Sequence, residues 1–279
     1  MRAAWAAIVG VMVSTGALAT DTLSRVQHSG TLRLGFRSDA PPYSFRAADG
    51  APAGYMVDIC REIAENVKAV TKIAQLKVEF VEVTAAQRLE AVRDRKVDLL
   101  CDPTSVTMAR REVVDFSLPT IIDGASLLYR ADGPGNLADF DGKRIGVLHG
   151  TTSEETLKAT LWQFDVKAEI VAKKSHEHGI AALTEKRIDA YFGDRGILAH
   201  YLRGSRRPGN LKLESQYYTF ETYAVALPRD DGKLRLLVDA TLADLYRSHN
   251  VRRIFARSFG NVAPDEFVRA LYVIHGVPK

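Results

Sequence analysis

The sequence predicts an α/β protein of two similar lobes joined by extended segments, with a cleft between them. Three observations carry that expectation. Strand-like and helix-like runs alternate through the first hundred residues in βαβ order. The run Val97-Asp98-Leu99-Leu100-Cys101 is almost wholly apolar, as a central parallel strand covered on both faces would be. A second alternation begins after an extended stretch, Ile121 to Tyr129, and a loose Ala131-Asp-Gly-Pro-Gly-Asn136 segment.

Taken in order, Thr31-Leu-Arg-Leu-Gly-Phe36 alternates like a strand, and a polar loop with Pro41-Pro42 follows. From Tyr55 to Val67 the period becomes helical, with Val57, Ile59, Cys60, Ile63 and Val67 on the apolar side. Leu76 to Val83 reads as a strand, Ala85 to Asp94 as a helix and Val97 to Cys101 as the next strand. The second alternation has strands at Lys143–Leu148, Ala168–Val171 and Ile188–Phe192, and helices at Ser153–Leu161, His176–Leu183 and Asp194–Leu202. A strand at Thr222–Leu227 and helices at Leu234–His249 and Val251–Phe259 are expected to finish the chain.

The N-terminus bears one Arg, an apolar run from Ala3 to Val13, and small residues ending Ala17-Leu18-Ala19. That pattern predicts an export signal, residues 1–19, cut after Ala19. Its apolar run is shorter than the roughly 20 residues a membrane span needs, so a soluble, exported protein is expected. The remaining chain of about 260 residues is long enough to bury full cores without staples. Lys and Arg number 38 against 34 Asp and Glu. So small and scattered an excess argues against a nucleic-acid partner, which calls for a basic stripe interleaved with aromatics. The two cysteines, Cys60 and Cys101, are no disulfide framework, and two buried free thiols are favoured over a pair.

The chemistry-bearing residues cluster where strands end. Cys101-Asp-Pro-Thr-Ser-Val-Thr-Met-Ala-Arg110 sets hydroxyls ahead of an arginine, whose planar guanidinium can grip a carboxylate with two parallel hydrogen bonds. Arg111 reads as a solvated bystander. Leu148-His-Gly-Thr-Thr-Ser-Glu-Glu155 is a strand end, a tight turn and a helix start. Thr151 or Thr152 can cap that helix with Glu154 or Glu155 as partner, and its free N–H groups would suit an anion. The bland alternative is an ordinary capped helix. Asp194, after Ala190-Tyr-Phe-Gly193, either caps the next helix or faces the cleft as partner for an ammonium group. No nucleophile–base pair, metal set or cofactor loop is found, so no cofactor is expected.

With those residues in view, the chain resembles the periplasmic substrate-binding proteins of polar amino-acid ABC transporters, solute-binding family 3. The likeness runs through LRLGFRSDAPPYSF, PAGYMVDICREIA, TAAQRLEAV, VDLLCDPTSVTMARREVVDFS, GKRIGVLHGTTSEE and RIDAYFGD, in that order, along nearly the whole mature length. Within the family it is most like the glutamate- and aspartate-binding members. The resemblance implies a type II fold, two α/β lobes joined by two extended crossings. It divides the chain into lobe 1 at 20–120, lobe 2 at 121–220, and a return to lobe 1 at 221–279. It also implies that Arg110 and Ser105 bind the ligand α-carboxylate, joined from the other lobe by Thr152, and that Asp194 binds the α-ammonium. Arg37, Arg88 and His176 stand where acidic-ligand relatives place groups toward the side-chain carboxylate, three potential cations around one end. Asp102-Pro103 departs from the usual Gly-Ser: the Pro103 carbonyl can still accept from the ammonium, whereas Asp102 facing the cleft would repel an acidic ligand. Ala85 replaces a further hydroxyl, and Tyr43 either lines the cleft or is a core aromatic. The implied partners are a free amino acid and the membrane permease of an ABC importer, with the chain a periplasmic monomer. The rival class is an enzyme on the same scaffold, similar to periplasmic cyclohexadienyl or arogenate dehydratases, in which His176, Asp102 or Asp194 would serve as proton donor.

Overall fold

The computed structural model describes residues 21–260 and 262–278. The expected export signal and its cleavage site lie outside them. Helix α1 (Thr22–Ser29) starts at Asp21, whose carboxylate accepts from the Ser24 amide, and stops at Gly30. The alternating run forms β1 (Thr31–Phe36), and the polar loop after it folds into a small sheet of β2 (Asp39–Ala40), β3 (Ser44–Arg46) and β4 (Pro52–Ala53). Next come α2 (Tyr55–Thr71), β5 (Lys77–Glu82), α3 (Arg88–Arg93), β6 (Leu99–Leu100), the one-turn α4 (Met108–Arg111), β7 (Asp115–Asp123) and β8 (Ala125–Arg130). The chain continues through β9 (Arg144–Leu148), α5 (Thr152–Gln163), β10 (Glu169–Lys173), α6 (His176–Thr184), β11 (Ala190–Asp194), α7 (Arg195–Gly204) and β12 (Leu211–Leu213). It ends with β13 (Glu221–Leu227), α8 (Gly232–Arg247), α9 (Val251–Phe259) and α10 (Glu266–His275).

Two five-stranded sheets define the two lobes, in the orders β5-β1-β6-β13-β7 and β10-β9-β11-β8-β12. The apolar β6 is central, as expected, but it runs parallel to β1 and antiparallel to β13. Each sheet is covered on both faces. In the first, one core joins α1, α2, α8, α9 and α10 to the sheet through Val26, Ile59, Ile63, Leu242, Phe255 and Leu271, and a second lies under α3. In the other, Leu157 and Leu161 of α5 pack on one face, and Leu183 and Leu198 of α6 and α7 on the opposite one.

Three expectations are corrected. The stretch from Ile121 to Tyr129 is two strands in two sheets, broken at Gly124. Here the two crossings run side by side: Asp123 pairs with Glu221, and the Ala125 amide donates to Thr219 Oγ1 at 2.9 Å. A Cβ on Gly124 would run into the Thr219 carbonyl oxygen, so only glycine lets the crossings approach this closely. The chain also does not finish at Phe259, because Asp265 caps α10 by accepting from Val268 N, and Val268, Leu271 and Tyr272 bury its inner face. Finally, Cys60 and Cys101 are buried as expected but form a disulfide, with their Cα atoms 6.0 Å apart. Cys60 lies on the α2 face that packs against the end of β6, so the core itself brings the two sulfurs together. Closing a loop of 41 residues stabilises the fold by about 4 kcal/mol in the chain-entropy account.

Candidate ligand site between the lobes

The residues after β1, β6, β9 and β11, at the carboxyl ends of strands from both sheets, converge between the lobes, where open α/β sheets place their ligands. The disulfide fixes the start of one of these segments, since Cys101 directly precedes the buried run Asp102 to Ser105.

On the first lobe, Thr107 caps α4 by accepting from Arg110 N, and Arg110 Nη1 donates to the Ser105 carbonyl at 2.9 Å. Arg111 stays at the surface beside Asp115 and over the Phe116 ring. On the second lobe the open choice of cap is resolved. Thr151 is the N-cap, and Glu154 reaches back to the Gly150 amide at 3.0 Å. That leaves the Thr152 hydroxyl free to face the cleft, where it donates to Glu221 Oε2 at 2.8 Å and lies 3.1 Å from Ser105 Oγ. Because its single proton goes to a carboxylate, Ser105 is the donor in the second contact.

Asp194 precedes α7 without capping it, and its Oδ1 accepts from Ser153 Oγ at 2.9 Å. Burial, then the charge of Glu221, pushes its carboxyl up to about 6. Asp123 stands near it, accepting from Tyr43 Oη at 2.7 Å and Gly196 N at 3.0 Å, and burial followed by Asp194 raises it to about 7. Tyr43 is 2% exposed and packs edge-to-face on Tyr223 and Phe259, as a core aromatic does, with its hydroxyl donating to Asp123.

At the far end of the cleft, Arg37 directs Nε and Nη2 to Asp39 Oδ1 at 2.9 and 2.8 Å. The other Asp39 oxygen accepts from His176 N, at the start of α6 on the opposite lobe, at 3.3 Å. Arg88 Nε donates to Thr104 Oγ1 at 3.1 Å and lies 3.4 Å from Asp102 Oδ2, while Nη1 takes the Ala85 carbonyl and reaches Gly150 O across the cleft at 3.5 Å. Thr104 in turn donates to Asp102 Oδ1. Burial, opposed by Asp102, lowers Arg88 to about 10, so it stays charged at neutral pH. His176 does not: burial and then Arg37 push it down to about 3, and its Nδ1 sits 3.1 Å from Tyr191 Oη. The expected trio of cations is therefore two arginines, each with an internal carboxylate, and one neutral imidazole. Pro103 is buried beside Asp102.

Two buried polar atoms here, Asp102 Oδ2 and His176 Nε2, make no hydrogen bond within the protein, and the Tyr223 hydroxyl is directed to Asp194. Asp39, Asp123, Glu221 and Tyr223 entered no sequence-based expectation. Among them Glu221 had a usable signal, as an acid opening a strand that returns to the first lobe. No cluster of three or more His, Cys, Asp or Glu among the described residues is placed to hold a metal ion.

Two double-covered sheets, two adjacent crossings and a polar cleft at the strand ends define a two-lobed periplasmic-type binding protein of type II. The chain belongs to the bacterial extracellular solute-binding proteins, family 3, whose family model matches residues 32–261. It is 29% identical over 267 residues to the L-glutamate/L-aspartate-binding protein of Pseudomonas aeruginosa, covering 93% of this chain and 88% of that one. With a glutamate/aspartate import solute-binding protein of Escherichia coli it shares 25% over 269 residues, 93% of this chain and 89% of the other. Among solved structures, a Streptococcus pneumoniae ABC-transporter substrate-binding protein with bound histidine matches in fold at TM-score 0.79, with 22% identity over 88% of this chain and 99% of that one. An ancestral amino acid-binding protein described as a precursor of cyclohexadienyl dehydratase matches at TM-score 0.74, with 25% identity over 85% and 99%.

Proposed function

We propose that the chain captures a free polar L-amino acid between its lobes outside the cytoplasm and delivers it to the membrane permease of an ABC importer, acting as a monomer. The expected division, lobe 1 at 20–120 and 221–279 and lobe 2 at 121–220, moves by three residues at its first boundary, because β7 carries the first sheet to Asp123 and the second begins with β8 after Gly124. The observation that carries the reading is the contact of Ser105 with Thr152 across the cleft, beside Arg110 and on the same face as Asp194. Arg110, Ser105 and Thr152 take the α-carboxylate; Asp194, with the Pro103 carbonyl, takes the α-ammonium. A ligand held by both lobes favours closure by the difference in its affinity for the closed and open states.

Glutamate and aspartate are the ligands to which the names of the relatives point, with Arg37, Arg88 and His176 receiving the second carboxylate. The internal counter-ions Asp39 and Asp102 favour a second reading, an uncharged polar side chain. The rival enzymatic role, dehydration of prephenate or arogenate, has its support in the ancestral neighbour alone. A thermal-shift screen of the mature protein against the common amino acids tests the carrier. A ligand at a hundredfold excess over Kd is expected to add about 2.7 kcal/mol of stability. Stabilisation by none of them, or turnover of prephenate or arogenate, would overturn it.

A further inference from the structure

The two arginines at the far end of the cleft do not stand free. Arg37 is 2% exposed and holds Asp39 through two nitrogens; Arg88 is 3% exposed and lies against Asp102, which is fully buried. The charges cancel pairwise inside the protein, and His176, the third member, is a neutral imidazole. A ligand carboxylate entering this end would bring a buried charge with no unmatched cation to meet it, so its desolvation goes uncompensated.

The unsatisfied atoms point to what does fit. Asp102 Oδ2 is an acceptor without a hydrogen bond, and His176 Nε2 is a buried ring nitrogen also without one. Both lie within the electrostatic reach of Arg37. A carboxamide meets the first of these: its NH2 donates to Asp102 Oδ2, its oxygen accepts from an arginine N–H, and it adds no net charge. A site built around buried polar atoms rejects the analogue that leaves them unpaired more strongly than any change of apolar size.

We infer that Asp39 and Asp102 are specificity-determining residues that set the side-chain end of the cleft to an uncharged, hydrogen-bond-donating group, a carboxamide as in glutamine or asparagine, in preference to a carboxylate. The inference rests on the reading of the cleft as an amino-acid site, and the experiment separates the two. Isothermal titration of the mature protein with L-glutamine, L-glutamate and L-arginine, repeated on Asp102→Asn and Asp39→Asn, gives the selectivity directly. The wild type is expected to bind L-glutamine at least tenfold more tightly than L-glutamate, and Asp102→Asn, which removes the negative charge while keeping the shape, to reduce that ratio at least tenfold. Asp39→Asn, freeing Arg37, moves the ratio the same way and serves where Asp102→Asn does not fold, as judged by its melting transition. Tighter binding of L-glutamate or L-arginine by the wild type, or an unchanged ratio in the folded variants, overturns the specificity assignment while leaving the carrier intact. Binding of no common amino acid overturns the carrier reading, and this assignment with it.

Discussion

Arg88 and Arg110 differ by how much of their charge the protein already uses. Arg110 gives one nitrogen to a backbone carbonyl and is partly exposed, whereas Arg88 is enclosed by Asp102, Thr104 and two carbonyls. Arg110→Ala is therefore expected to abolish amino-acid binding in titration with little change in melting temperature. Arg88→Ala strands a buried Asp102 and should lower stability by about 3–5 kcal/mol in denaturant unfolding, beyond any effect on selectivity. The carboxyls give a pH dependence whose sign follows from burial. With Asp123 raised to about 7 and Asp194 to about 6, the folded chain holds protons that the unfolded chain releases near pH 4. Stability of the ligand-free protein therefore falls as pH rises from about 4 to 7, by about 1.4 kcal/mol per unit for each carboxyl still protonated only in the fold. Ligand affinity runs the other way, because gripping an ammonium requires ionised Asp194. It should drop about tenfold per unit below pH 6, measured by titration between pH 5 and 8.

The elements whose signal is local were legible in the sequence; those defined by another part of the chain were not. The helical face of Val57, Cys60, Ile63 and Val67 and the apolar Leu99-Leu100 announce themselves by period and composition, and both lie where they were expected. α10 has a local signal too, an Asp265 cap followed by apolar spacing at Val268, Leu271 and Tyr272. The break at Gly124 depends on Thr219, 95 residues further on, and no short-range pattern records so distant a neighbour. The same holds for Cys60 with Cys101, and for the counter-ions: Ser38-Asp39 after Arg37 reads as turn chemistry until the fold is known. Of the candidate site, Asp194 and the Thr151-Thr152 helix start stand out locally at strand ends, Ser105 comes with the family resemblance, and the charge balance around Arg37 and Arg88 has no local signal. Two tests follow at this scale. Gly124→Ala forces the crossings apart and should lower stability by about 1–3 kcal/mol in thermal unfolding. Reducing the disulfide should remove about 4 kcal/mol and weaken ligand binding as well, because it frees the segment that carries Asp102 to Ser105.

Across the whole molecule, the cleft is closed by individual hydrogen bonds between the two lobes. Ser105 to Thr152 at 3.1 Å, Thr152 to Glu221 at 2.8 Å, Gly196 N to Asp123 at 3.0 Å, the His176 amide to Asp39 at 3.3 Å, Tyr201 to the Asp39 carbonyl at 3.4 Å and Arg88 to the Gly150 carbonyl at 3.5 Å are among the hydrogen bonds that span it. Hydrogen bonds of this kind contribute about 0.5–1.5 kcal/mol each, too little on their own to hold the lobes together against the freedom gained on opening. The proposed closure would turn about the crossings, which meet at Gly124 and Thr219. An amino acid that satisfies Arg110 and Thr152 at once, and Asp194 and the far-end pairs besides, would bind the closed arrangement better than the open one by several such bonds, and a preference of 5.5 kcal/mol is enough to move a population from about 1:99 to 99:1. The radius of gyration from small-angle X-ray scattering should therefore be larger without ligand than with it, and should fall on saturation to the value of the closed fold. Thr152→Val, which keeps the side-chain volume but loses the hydroxyl that meets Ser105 and Glu221, is expected to bind more weakly and to require more ligand for the same contraction. An identical radius with and without a bound amino acid would mean that capture does not proceed by closure.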